Sequence, residues 1–471
     1  MKKIFPFLLF ILLLNQASAQ SSADKFIDND LLRNASVSLL VLDLNTGQKV
    51  SEISPTHSLI PASTMKLLVT ATALELLGTD FRFETKLQIG GKIDDNGVLN
   101  GNLYIYGGGD PTLGSAFVGN RDFLKQWLTA VKKAGIKSIN GSIIADASLF
   151  DDEGINPQWS WEDIGNYYAP GIYGISYLDN TARVHLNSNE RGSTPMVTKT
   201  VPEIPGLTFE NNLKSTTIGK DSAYFYGAPR SNVRSIYGEI PMNRSNFVTK
   251  MDIPNPPLLL AQHFHDLLID NGVNISYPPS DQYHAATNER KTFYTHQSLP
   301  LSRIAKEINF TSNNHYTEQL FRYLALQNSS IATTRGAVQV VRNHWKSKGL
   351  AVEQLFMSDG SGLSRTNAVS AEFYVQLLTY MRKQSKVSTG FYDSLPAAGE
   401  SGTIEWILKN TPLQGKLKAK SGSISRVRCY AGYIDLPNKN YAFAVLVNNF
   451  NGRPRDVIKE IEKYLVSVVS D

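Results

Sequence analysis

Between Phe83 and Ala285 the sequence changes texture, and this break limits the folds open to the chain. Short alternating runs such as Thr85-Lys86-Leu87-Gln88-Ile89 and Leu103-Tyr104-Ile105-Tyr106 are divided by clusters of Gly, Asn, Asp and Pro, the pattern of small β-rich units. One helical piece, Phe123 to Lys133, interrupts them. The chain has 471 residues, and single cores stop growing at roughly 250–300. The break therefore reads as an insertion. Residues 20–82 and 286–471 make one α/β (α+β) unit split in sequence, and residues 83–285 form an inserted β-rich region of two small domains.

The flanking segments carry ordinary secondary-structure signals. Ser36 to Leu44 and Gln48 to Ile53 read as strands around the turn residues Asn45-Thr46-Gly47. Ser63 to Leu77 has helical spacing without a breaker, entered through Pro61 and closed by Gly78. Leu301 to Ile308, His315 to Leu326 and Gly336 to Lys348 show apolar faces at the helical period. Leu417 to Ser425, Arg428 to Leu436 and Tyr441 to Asn448 return to strands. A last amphipathic helix, Arg455 to Val469, presents Val457, Ile458, Ile461, Leu465 and Val468 on one side, expected to pack against the terminal sheet.

Residues 1–19 are expected to stand outside the fold. Lys2 and Lys3 precede an apolar run from Ile4 to Leu14, and Ala17-Ser18-Ala19 follows as a small-x-small cleavage site. The run is too short for a bilayer, which needs roughly 20 residues, so it reads as a removed secretory signal that leaves no transmembrane anchor. Its loss lowers the formal charge from +5 to +3. That charge gives no sign of nucleic-acid binding and fits weak attraction to an anionic wall. The one cysteine, Cys429, excludes an internal disulfide and reads as a packed strand residue.

Three short patterns could carry chemistry. In Ser63-Thr64-Met65-Lys66, residues three apart share a helix face, so the lysine amine can reach the serine hydroxyl. A serine attacks a carbonyl only if a base takes its proton, and a lysine is a base only when burial or a neighbouring cation keeps it neutral. Ser312-Asn313-Asn314 falls in a break between predicted helices. A hydroxyl there could relay protons to a leaving nitrogen, and the Asn314 amide could hold a substrate amide. Lys420-Ser421-Gly422-Ser423 lies in a predicted strand. Gly422 lets a substrate backbone approach, Lys420 and Ser421 suit a carboxylate, and Lys420 is a candidate for the cation beside Lys66.

Singly these patterns are ordinary. In this order, on a helix start, an inter-helix loop and a strand, they match the Ser-x-x-Lys, Ser-Asp-Asn and Lys-Thr-Gly set of β-lactamases and penicillin-binding proteins. With Gly107-Gly108-Gly109-Asp110-Pro111-Thr112-Leu113, Asp359 to Arg365, Leu395-Pro396 through Gly402-Thr403, and Glu318 and Leu320 after the second motif, the chain resembles low-molecular-mass class C penicillin-binding proteins of the D-Ala-D-Ala carboxypeptidase/endopeptidase type. The likeness spans nearly the whole chain after residue 19.

The resemblance implies a serine β-lactamase/penicillin-binding protein-like transpeptidase fold with extra domains inserted after the first catalytic helix. It implies Ser63 as acylated nucleophile, Lys66 as base, Ser312 as relay, Asn314 as amide binder and Lys420 with Ser421 as carboxylate holder. The N–H groups of Ser63 and Ser423 would form the oxyanion hole beside Gly422. Peptidoglycan stem peptides are the implied substrate, β-lactams the covalent inhibitors, and the periplasmic or cell-wall space the location, with no cofactor or metal. Asp359 to Arg365 is expected to brace the site. Ser421 stands where threonine is commonest, and Asn313 where aspartate is frequent. A β-lactamase or esterase on the same fold and a non-catalytic wall-binding homologue are the alternatives. The eight histidines form no His-Glu-x-x-His pair and no Gly-x-Ser-x-Gly elbow occurs, which argues against a metallopeptidase and an α/β-hydrolase.

Overall fold

A computed structural model describes residues 21–118, 122–285 and 288–470. The expected signal segment lies outside them. Strands β1 (Ser36–Asp43) and β2 (Lys49–Ile53) form the expected hairpin. Asp43 Oδ1 accepts the N–H groups of Asn45 and Thr46 at 2.7 and 3.1 Å, and Gly47 takes φ +76°, so the turn is made by its own residues. Helix α1 (Met65–Leu77) ends at Gly78 with φ +84°. The sequence places Ser63 inside this helix, whereas the structure puts it in a 3₁₀ turn, Ala62–Thr64, just before it.

The later elements that frame the site are β3 (Thr181–Ser188), β4 (Arg244–Asp252), α2 (Leu301–Thr311), α3 (Asn314–Tyr323), β5 (Leu417–Ile424), β6 (Val427–Asp435), β7 (Asn440–Asn448) and α4 (Pro454–Ser470). One antiparallel sheet runs β2-β1-β7-β6-β5, so the two ends of the sequence share it. β1 lies beside β7 in unbroken register from Ser36↔Asn448 to Asp43↔Tyr441.

Each face of this sheet has its own core. One packs Ala431, Ala444 and Leu446 with α1 and the helices after Leu301. The other packs Val445 and Val447 with Val457, Ile458, Ile461, Leu465 and Val468 of α4, as the amphipathic stripe requires. Helix α1 is central, with every residue from Met65 to Leu74 buried. Among the described residues no helix is long and apolar enough to cross a membrane.

Residues between Glu84 and Gln297 build a seven-stranded mixed sheet and several smaller ones around a separate core that includes Trp127, Tyr173 and Phe264. The strand Lys291–Gln297, beyond residue 285, pairs with Glu84–Ile93 and continues that sheet. Besides the expected helix Phe123–Lys133, a second one, Pro256–Asp270, crosses this region. Its Pro256-Pro257 start resembles a loop, but the Asn255 side chain accepts the Leu258 N–H at 3.1 Å and proline suits a first helical turn. Helix Ala371–Lys383, capped by Ser370, is likewise absent from the sequence reading.

Candidate active site

The turn before α1, the break between α2 and α3, and the edge strand β5 converge on one point. Ala62 has φ +46° and Ser312 φ +59°, a conformation uncommon outside glycine. Such residues cost of order 1–3 kcal/mol each and persist only where the surroundings enforce them. At Ala62 the bend presents Ser63 half-buried beside a fully buried Lys66. At Ser312 it breaks the chain between two helices and turns the serine toward β5.

The three sequence patterns meet side chain to side chain. Lys66 Nζ donates to Ser63 Oγ at 2.9 Å, to Asn314 Oδ1 at 2.7 Å and to the Ser361 carbonyl. Lys420 Nζ donates to Ser312 Oγ at 2.9 Å and to the Ser421 carbonyl at 2.8 Å. The Ser421 hydroxyl is 2.8 Å from that of Thr403. A Cβ on Gly422 would stand 2.4 Å from the Pro61 carbonyl and 3.2 Å from the Ser63 nitrogen, so only glycine lets β5 lie this close to the Ser63 turn. Ser423, the next residue, is exposed. Asn313 caps α3 by accepting the Tyr316 N–H at 3.0 Å, a task asparagine performs as well as aspartate.

Burial governs the charges. Both lysines are fully withdrawn from solvent. Desolvation pushes Lys66 down to about 7, while Asp359 and Glu318 act in the opposite direction. Lys420 is also pushed well below the ordinary amine range, first by burial and then by repulsion from Lys66. The sequence argument allowed either burial or a neighbouring cation to keep Lys66 neutral; burial is the leading cause, and the repulsion tells on Lys420.

The sequence reading expects Asp359 to Arg365 to brace the site and notes Glu318, but not the contacts through which they do so. Glu318 Oε1 accepts the N–H groups of Gly360 and Ser361 at 3.0 and 2.6 Å, which aims the Ser361 carbonyl at Lys66. Asp359 accepts from Gly362, Ser364, Asn367 and the Trp159 indole at 2.6–2.8 Å. Gly362, at φ +80°, would set a Cβ only 1.9 Å from the Ala62 carbonyl. Asn314 Nδ2 donates to the Tyr168 carbonyl at 2.8 Å, so the region between the first two motifs also holds the amide. The acid-glycine pattern at Asp359-Gly360-Ser361-Gly362 was the available signal, though not for the Glu318 contact. Cys429 is buried, donates to the Ile60 carbonyl at 3.5 Å and has its thiol pushed up to about 12 by burial.

Residues 19–470 match the D-Ala-D-Ala carboxypeptidase 3 (S13) family. The chain belongs to that family. As an S13 member it is a carboxypeptidase-type hydrolase of D-alanyl peptide bonds and a low-molecular-mass penicillin-binding protein. It is 26% identical over 447 residues to a D-alanyl-D-alanine carboxypeptidase of Actinomadura sp. (strain R39), covering 91% of this chain and 80% of that one. Penicillin binding protein 4 of Haemophilus influenzae shares the S13 chain's fold, with a TM-score of 0.81 at 23% identity over 93% of this chain and 98% of the other. The same protein complexed with a β-lactam gives a TM-score of 0.78 at 21% identity, covering 96% and 99%.

Proposed function

We propose that the chain is a serine D,D-peptidase that removes terminal D-Ala and cuts D-alanyl cross-links of peptidoglycan stem peptides through an acyl-enzyme on Ser63. The observation that carries this reading is the 2.9 Å contact between Ser63 Oγ and a buried Lys66 amine lowered to about 7. A neutral amine has two N–H groups and a lone pair. It can donate to Asn314 and the Ser361 carbonyl and accept the Ser63 proton.

The substrate carboxylate sits on Lys420, Ser421 and Thr403, the last two joined hydroxyl to hydroxyl at 2.8 Å. Its charge favours the protonated form of Lys420, and two cations cannot share this buried site cheaply, so Lys66 is the lysine that stays neutral. Ser63 Oγ bonds to the carbonyl carbon as its proton moves to Lys66. The N–H groups of Ser63 and Ser423 receive the developing oxyanion, a donor pair of which each member is worth about 10²–10³ in rate. The carbon–nitrogen bond then breaks as the Ser312 hydroxyl gives its proton to the leaving nitrogen and takes up the one Lys66 received, which returns Lys66 to the neutral amine. Water attacks the ester and gives a proton to Lys66, and that proton passes to Ser63 Oγ as the acid product departs. Asn314 holds the acyl-side amide.

β-Lactams acylate the same serine. The apolar segment and small-residue site at residues 4–19 support export to the periplasmic or cell-wall space. The pairing of Lys291–Gln297 with Glu84–Ile93 supports an inserted region running past residue 285 to about Gln297. Incubation of the mature protein with a fluorescent penicillin tests the reading. A long-lived adduct mapped to Ser63 and absent from Ser63→Ala is expected. Folded protein that leaves the penicillin intact and unbound sinks it.

A further inference from the structure

A cavity of about 570 Å³ opens against the segment Thr311 to His315 and extends to Thr181 and Arg183 of β3 and Lys250 of β4. Ser312 lines it and also accepts from Lys420. On the proposed reaction, Ser312 hands its proton to the leaving nitrogen, so whatever that nitrogen carries departs along the Ser312 side. An alanine is far smaller than this space, since pockets of roughly 300–1,000 Å³ hold drug-sized ligands.

The lining carries an unsolved charge problem. Arg183 on β3 and Lys250 on β4 are directly opposed partners in an antiparallel pair, both exposed and both lining the cavity. Like charges placed so destabilise a sheet. Among the described residues no carboxylate forms an ion pair with either; Lys250 only lies over the Tyr167 ring at 5.5 Å. Asp179, the acid in the lining, is engaged by the Ala116 N–H at 2.9 Å and the Tyr316 hydroxyl at 3.3 Å. His315, whose Nε2 lies 2.9 Å from Ser176 Oγ, also lines the cavity. Its Nδ1 has no hydrogen-bond partner, and burial pushes the ring down to about 3, which keeps it neutral.

We infer that this cavity is the binding site for the leaving strand of a cross-linked substrate, an acidic peptide whose free carboxylate lies between Arg183 and Lys250. The inference rests on the proposed acyl-enzyme reading and adds to it the residues that select a large anionic leaving group. The carboxylate relieves the cross-strand repulsion, and the apolar stem lies along Phe117 and Leu178.

The test uses the whole protein and the double variant Arg183→Ser/Lys250→Ser on three substrates. These are a short peptide ending in D-Ala-D-Ala, a cross-linked muropeptide dimer, and that dimer with its leaving-strand carboxylates amidated. The expected result is a KM for the acidic dimer raised about tenfold, equal to 1.4 kcal/mol, with the difference shrinking in high salt. Values for the short peptide, the amidated dimer and the penicillin acylation rate stay at wild-type levels. Equal KM for the acidic dimer in both proteins overturns the inference, as does wild-type protein that cleaves the short peptide but not the dimer. Wild-type protein inert toward all three substrates and toward penicillin overturns the underlying reading as well.

Discussion

Arg234 and Asp252 in the inserted region, and Lys66 and Lys420 beside Ser63, are all withdrawn from solvent, yet the two groups are built on opposite plans. The Arg234 guanidinium meets the Asp252 carboxylate in a two-pronged pair at 2.8 and 3.0 Å, and its remaining N–H groups reach the Ser231 and Val233 carbonyls. Each charge is answered by its opposite and by backbone, the arrangement a fold needs when it buries ions. The lysines meet backbone carbonyls and neutral side chains but, among the described residues, no direct carboxylate partner. Burial displaces both from the ordinary amine range, and repulsion from Lys66 lowers Lys420 further. The first cluster gives the inserted region a fixed geometry. The second is a cost to stability, and it supplies the neutral amine that the proposed acyl-enzyme reaction requires.

The contrast can be broken most forcefully at Lys66. Lys66→Met is expected to slow penicillin acylation by roughly 10³-fold or more, in line with loss of a general base. The same change should raise Tm. Lys66 has a folded value of about 7 against an unfolded 10.5. The unfolded state therefore binds more protons between those values, and stability rises with pH across that window. The gain from methionine should be full below pH 7 and fade toward pH 10, which thermal melts at several pH values would read. A Tm that falls at neutral pH would erase the distinction drawn above.

Arg234→Met should do the reverse. It leaves Asp252 buried without a partner and should cost about 3–5 kcal/mol of stability, measured by urea unfolding. The acylation rate of the folded fraction should not change. A smaller effect sharpens the comparison further. Acylation by the wild-type protein should fall about tenfold per pH unit below pH 7, where Lys66 takes up its proton, and level off above it. A flat profile from pH 5 to 9 would remove Lys66 as the base.

The three motifs were readable because each is short and local in sequence, and the geometry then joins them through Nζ contacts. The terminal strands and α4 were readable from period alone. What the sequence hid depends on partners far along the chain. Helix α1 is buried on every side, so its apolar pattern says helix without saying which face packs where. Glu318 aligns Ser361 across 43 positions, and the strand after residue 285 joins one that begins at Glu84. Neither pairing leaves a periodic mark. Pro256-Pro257 and Ser370 illustrate the local case, where capping residues that start helices also read as turns.

The neighbourhood of β1 and β7 bears on how the protein is born. The ribosome adds roughly 5–20 residues per second, so Asn448 emerges on the order of 20–80 s after Ser36, its partner across the sheet. For that interval the buried run Leu39-Leu40-Val41 has β2 as its one strand neighbour among the described residues. The stretch from Glu84 to Gln297, by contrast, already holds every strand of its main sheet. The nascent chain thus carries a finished middle inside an unfinished frame, and the strand left waiting is the one a holdase chaperone would find first.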